Sequence, residues 1–176
     1  MATALAPKTL ADGRIRLAFL PTLKDPSKPT VTELTAGIDL SCRVLKSDFR
    51  ASPVGSETVD EMAALCETAN ASTPGQSNYE ASMSVFRWFD ATKPGQKDAL
   101  GDVAYQAVKL KGTHGYLVKR ETGKAYDAAW EAGDEIEVFE VVTDTPQSPS
   151  DAGGYIRRII PMFVQDGWMD AVVATG

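Results

Sequence analysis

Two cysteines, Cys42 and Cys66, and a single histidine, His114, are the side chains of this 176-residue sequence best suited to nucleophilic or soft-metal chemistry. In a Cys–His pair the imidazole takes the thiol proton and leaves an attacking thiolate. No family-type local motif surrounds either cysteine, and His114 stands among glycines in "KGTHGY", as an exposed turn residue does. A structural zinc needs a full tetrahedral set of Cys or His ligands at close spacing, which three distant residues do not supply. Cys42 sits in "DLSCRVL" (39–45), where Ile38, Leu40, Cys42 and Val44 alternate with Asp39, Ser41 and Arg43. A period of two marks a half-buried strand, and it makes Cys42 a small buried apolar residue. Without an export signal, free thiols are the default for both cysteines; a disulfide between them is the alternative.

Carboxylates are the other candidates. "DEIEVFE" (134–140) carries Asp134, Glu135, Glu137 and Glu140, and "DEM" carries Asp60 and Glu61. Two carboxylates brought together in space would make an acid–base pair for a small β-barrel hydrolase. Glu135 and Glu137, however, alternate with Ile136 and Val138, which is ordinary patterning for the wet face of a strand. The glycines of "GSETVDE" and "DAGG" match neither a phosphate-binding loop nor a dinucleotide fingerprint, so no cofactor is implied. Trp88, Phe89 and Trp130 lie near basic residues but lack the interleaving of basic and aromatic side chains that single-strand binders use.

Composition narrows the classes further. Lys and Arg number 18 against 24 Asp and Glu, a formal charge of −6. Nucleic-acid binders gain affinity by displacing phosphate counterions with Lys and Arg, so this chain is poorly built to grip DNA. It is suited to tolerating DNA nearby. With 43% hydrophobic residues the chain supports one compact domain. No apolar run approaches the roughly 18–20 residues that span a bilayer, and "MATALAPKTLADG" is no signal peptide. A soluble protein made in a cytoplasm, with no membrane partner, is expected.

These residues must be positioned by a set of short strands. Residues 1–12 read as an N-terminal arm and 13–176 as a single domain. "RIRLAFL" (14–20) alternates; "PTLKDPSKP" (21–29) is a loop; "TVTELTAGIDLSCRVL" (30–45) reads as a second extended stretch with a bend at Gly37. Residues 46–76 mix turn formers, small residues and acids, and are expected to form a long inserted loop with one short strand or helical turn around 57–67. "SNYEASMSVFRWF" (77–89) resumes alternation. Leu100, Val103, Ala104, Ala107 and Val108 have helical spacing, closed by Gly112 and Gly115. "GYLVKR" (115–120), "DEIEVFEVV" (134–142), "GYIRRIIPMFV" (154–164) and "WMDAVVAT" (168–175) complete about seven strands. The class is mainly β: a sandwich or barrel flanked by one α-helix.

The order of the motifs resembles the major tail tube proteins of long-tailed bacteriophages. "PTVTELTAGIDLSC" (29–42) is similar to that family's N-terminal segment, "KGTHGYLVKR" (111–120) to its Gly-Tyr strand, and "EAGDEIEVFEV" (131–141) to its Ala-Gly-Asp strand opener. "FVQDGW" near the end fits too. Many relatives append an immunoglobulin-like domain, which these residues do not contain.

The resemblance implies a structural virion protein rather than an enzyme, made in the host cytoplasm. It would assemble with itself into hexameric rings that stack into the channel for genome delivery. Tape measure, tail terminator and distal tail proteins would be its partners. Another ring-forming tail component, such as a terminator or a contractile-tail tube protein, is the alternative within the class. The 46–76 segment would reach an adjacent ring, with Asp48, Phe49, Arg50, Glu57, Asp60 and Glu61 as contact candidates. DNA would slide through without specific binding if the bore is acidic or neutral. Glu135 and Glu137 are the leading candidates to face it, and Asp39 and Glu80 follow by the same alternation.

Overall fold

The computed structural model describes residues 5–59, 65–66 and 73–175, and they are mainly β. Seven strands form one antiparallel sheet, in the spatial order β2-β1-β7-β8-β9-β6-β3. They are β1 (Ile15–Leu20), β2 (Ile38–Asp39), β3 (Arg50–Val54), β6 (Asn78–Phe86), β7 (His114–Glu121), β8 (Glu135–Thr143) and β9 (Arg157–Val172). A separate small ladder pairs β4 (Thr58–Val59) with β5 (Thr73–Pro74). Among the described residues there are two short α-helices, α1 (Val31–Ala36) and α2 (Val103–Val108), and one 3-10 turn at Lys46–Asp48.

Alternate residues of the strands feed two cores on opposite faces of the sheet, as the pleat requires. Leu17 and Phe19 of β1, Leu117 of β7, Phe139 and Val141 of β8, Met83 and Val85 of β6 and Ile160 of β9 share the inner core. Ala104 and Val108 of α2 pack into it. Ala18, Leu20, Val118, Ile136 and Val138 point outward into a second core, closed by Leu34 of α1, Trp130 and Val173. Helix α1 and the chain around Trp130 therefore cover only part of the outer face.

The sheet closes on itself through one turn. Leu40 N–H donates to Leu17 O of β1 at 2.8 Å, Arg43 N–H returns to Leu40 O at 2.9 Å, and Phe86 N–H of β6 donates to Arg43 O at 2.9 Å. Val44 then bridges Val85. The ends of a hydrogen-bonded four-residue turn lie within about 7 Å, so β1 and β6, four places apart in the sheet order, are drawn together across a barrel-like seam. The Arg43 guanidinium fastens the seam to the approach to α2, donating to Gly101 O and Leu100 O at 3.2 Å each.

Several expectations change. The stretch 30–45 is not a continuous strand, because Thr30 and Glu33 form a reciprocal capping box that nucleates α1. The signal, Thr-x-x-Glu, is present in "TVTE". The 46–76 segment is not one long loop: Arg50–Val54 pairs with Asn78–Ser82 as the outermost strand of the main sheet. Helix α2 starts only at Val103, and Leu100 is outside it and exposed. The two C-terminal stretches taken as separate strands are one, β9. Register shifts opposite Ile136/Val138 and Glu140/Val141 absorb its extra residues.

Candidate functional site

Cys42 is not buried. It lies in the turn that closes the sheet, where the backbone leaves the extended conformation and the alternation no longer assigns a face; its side chain is exposed, as is that of Cys66. Both are free thiols. His114 opens β7, and its Nε2 lies 2.6 Å from Glu140 Oε1, with its ring edge-on to Tyr116. The imidazole thus pairs with a carboxylate across the sheet rather than with a cysteine. Among the described residues no three His, Cys, Asp or Glu side chains converge as a metal would require.

The acids expected to share a channel wall are divided by the pleat. Glu137 opposes Lys119 on the inner face of the sheet, and its carboxylate lies 2.7 Å from the Lys119 ammonium. Glu135, two residues earlier on the same strand face, is exposed. Asp39 opposes Ala18, an outer-face residue, and its Oδ1 accepts hydrogen bonds from Ser41 N–H and Oγ–H at 2.8 and 2.6 Å. Glu80 is on the outer face of β6, ion-paired with Arg50. Only Glu135 and Glu137 are brought together.

The candidates in 46–76 divide similarly. Asp48 accepts a hydrogen bond from Ser84 Oγ at 2.9 Å, Phe49 packs against the inner core, and Arg50 is a strand residue. Glu57 is exposed beside the small ladder, where Gly75 N–H donates to its carbonyl at 2.6 Å. Asp60 and Glu61 lie outside the described residues.

Sequence reasoning missed two buried charge clusters. Arg120 projects from the outer face of β7 and is fully buried, donating to Ala125 O, Ala128 O, Ala129 O and Asp134 at 2.8–3.0 Å. Its cross-strand neighbour Arg16 and Arg120 itself both stack on Trp130, at 4.6 and 5.1 Å from the ring centroid. Burial would raise the Asp134 pKa, but hydrogen bonds from Lys124, the Glu131 amide and Arg120 outweigh it and hold the carboxyl low. This cluster shapes residues 122–134. The second, Arg87–Asp102, seats α2. Both tie strands to the segments packed on them.

Three surfaces remain. The first is an apolar cavity of about 430 Å³ at the mouth of the barrel, lined chiefly by Ile15, Leu17, Cys42, Val44, Phe49 and Tyr126. The Cys42 side chain beside the Tyr126 hydroxyl pushes the Tyr126 pKa above the ordinary 10.0, and the charges of Asp127 and Asp39 add to that. Second is the edge strand β3, hydrogen-bonded to β6 on one side only. The third is the uncovered part of the outer face. There the acids Glu140 and Asp166 are directly opposed across β8 and β9, and Phe163, 59% exposed, neighbours Val142. Like charges placed opposite one another weaken a sheet, and the His114 imidazole 2.6 Å from Glu140 offsets part of that cost.

A comparison with curated proteins finds none that matches. The sequence does match a family described as "Phage tail tube protein", over residues 3–176. A match across essentially the whole length, on a mainly β fold closed around one sheet, means that this chain belongs to the phage tail tube protein family.

Proposed function

We propose that this chain is the repeating subunit of the tail tube of a long-tailed phage, assembling as hexameric rings that stack into the bore through which the genome passes into the host. The observation that carries the reading is the family match over residues 3–176. A tail tube family implies a virion component that assembles with itself. In this reading the polymer is completed by tape measure, terminator and distal tail proteins.

The geometry supports it in two ways. Strand β3 presents an unpaired edge, a liability for a free protein that closure by a neighbour in a ring removes. The segment carrying Glu57 and the β4–β5 ladder continues the β3–β6 hairpin past Val54 and Asn78 and is the part assigned to contact with the next ring. The bore wall is acidic in this reading, since a Lys- and Arg-lined bore would hold DNA by counterion release. That wall is the outer face of the sheet; Glu135 shares the opposite strand face with Glu137 and is not part of it. Glu137 is neutralised by Lys119, and the opposed pair Glu140 and Asp166 is the stronger source of negative potential.

Electron microscopy of the concentrated full chain tests the proposal. Tubes of uniform diameter with sixfold end-on views are expected. A chain that stays monomeric across salt and concentration would refute it, and rings that never stack would instead indicate a terminator-like component.

A further inference from the structure

We infer that the apolar cavity at the barrel mouth is the seat for the N-terminal arm of a second copy of this chain, with Leu5 as the side chain that enters it. The inference deepens the tube reading and rests on it. Residues 5–12 have almost no regular structure and are exposed throughout, with Leu5 at 96% and Leu10 at 76%. The cavity, about 430 Å³, is walled by Ile15, Leu17, Val44 and Phe49, with Cys42 and Tyr126 at its rim. An apolar hollow leaves its lining without dispersion partners and gives water few polar groups to bind. One molecule therefore carries both halves of a contact, exposed leucines and an unfilled apolar seat.

Its own arm meets that seat only at its root, where Ala11 and Gly13 form part of the wall. The Asp12–Lys46 ion pair pins the root of the arm at the cavity rim. From there Thr9, Leu10 and Ala11 border a second, shallower cleft shared with Glu121, Thr122 and Gly123. Charge favours a visiting arm as well: Asp39 and Asp127 both act on Tyr126 at the rim, while the arm's charged side chain before Asp12 is Lys8. Each copy offers one arm and one seat on different surfaces. Such a contact is heterologous, and it propagates from copy to copy as a stack of rings requires.

Cys42 at the rim makes the test direct. Leu5→Cys in a Cys66→Ser background places one thiol on the arm and leaves one in the seat. The full chain is assembled, oxidised with copper–phenanthroline and run on a non-reducing gel. A ladder of disulfide-linked multimers that disappears on adding Cys42→Ser is expected. Only intramolecular disulfide, or tubes without cross-links, would overturn the seat while leaving the tube intact; no tubes from the unsubstituted chain would sink the tube reading itself. Leu5→Ala, in the unsubstituted background, gives a second readout. It should raise the critical concentration for assembly at least about tenfold with an unchanged unfolding midpoint. An unchanged critical concentration would refute the role of Leu5.

Discussion

Arg87 grips Asp102 at two points, Nε to Oδ1 at 2.8 Å and Nη2 to Oδ2 at 3.1 Å, with Asp102 fully buried at the start of α2. The same carboxylate accepts from Trp88 N–H at 3.1 Å and Gln106 Nε2 at 2.8 Å, and the guanidinium rests on Tyr105 at 3.9 Å. One residue thus fixes the end of β6, the turn after it and the first turn of α2. Removing one member of a buried pair strands the other, so Asp102→Ala should cost about 3–5 kcal/mol in urea unfolding. A loss under about 1 kcal/mol would show that α2 is held by Ala104 and Val108 alone.

Acid sensitivity should follow from Asp102 and Asp134. For each, burial is the largest influence and raises the pKa. It is overcome at Asp102 by Arg87, Gln106 and the Trp88 amide, and at Asp134 by Lys124, the Glu131 amide and Arg120, leaving both below the ordinary 3.8. A depressed folded pKa contributes stability above the unfolded value, lost as pH falls through the folded one. Urea midpoints should hold down to about pH 4 and then drop steeply. Asp102→Asn and Asp134→Asn should each start less stable and show a shallower acid limb; parallel limbs would assign the titration elsewhere.

Gly115 is required by close approach rather than by backbone angle. A Cβ there would lie 2.4 Å from Phe19 Cζ and 2.7 Å from the Leu20 carbonyl oxygen, against the neighbouring strand. Gly115→Ala should destabilise by about 1–3 kcal/mol through overpacking. Gly95→Ala, with open space around its Cβ, should stay within about 0.5 kcal/mol. Thermal melts of the two variants make the comparison.

Both thiols should react in the native subunit. Cys42 and Cys66 are exposed and unpaired, so a thiol reagent should count two groups without denaturant. Cys42→Ser should change stability by no more than about 0.5 kcal/mol. Slow reaction of Cys42 that needs unfolding would contradict its position in the turn.

Charge reversal should separate wall residues from frame. In the tube reading, Glu140→Lys with Asp166→Lys should leave tubes intact but slow genome delivery, most at low salt, where screening beyond about 10 Å is weakest. Glu135→Lys, on the opposite face of β8, should leave delivery unchanged. Normal delivery by particles carrying the double substitution would move the bore to another face.

The strands β1, β6, β7 and β8 were legible because alternation reports chain-local geometry: residues two apart share a face whatever the strand packs against. The same rule misled at 30–45. Thr30, Thr32 and Thr35 imitate strand patterning, while the Thr30–Glu33 capping box, equally local, determines the outcome. Strand β3 was hidden because "RASPV" contains a proline and little apolar periodicity, and an edge strand with one bonded side tolerates both.

The expected number of strands, about seven, matches the sheet with a different membership: two C-terminal stretches fuse into β9, and β3 takes the vacant place. By itself the sequence determined class, charge balance, most of the strand set and the resemblance to tail tube proteins. Tertiary structure decided that Cys42 sits in a seam, that Glu137 is cancelled by Lys119 while Glu140 opposes Asp166, and that an apolar cavity opens at the root of the arm. Those outcomes join Leu17 to Leu40, Arg43 to Phe86 and Glu140 to Asp166. Such contacts arise only when distant segments close on one another, and a pattern read over neighbouring residues carries no information about which segments will meet.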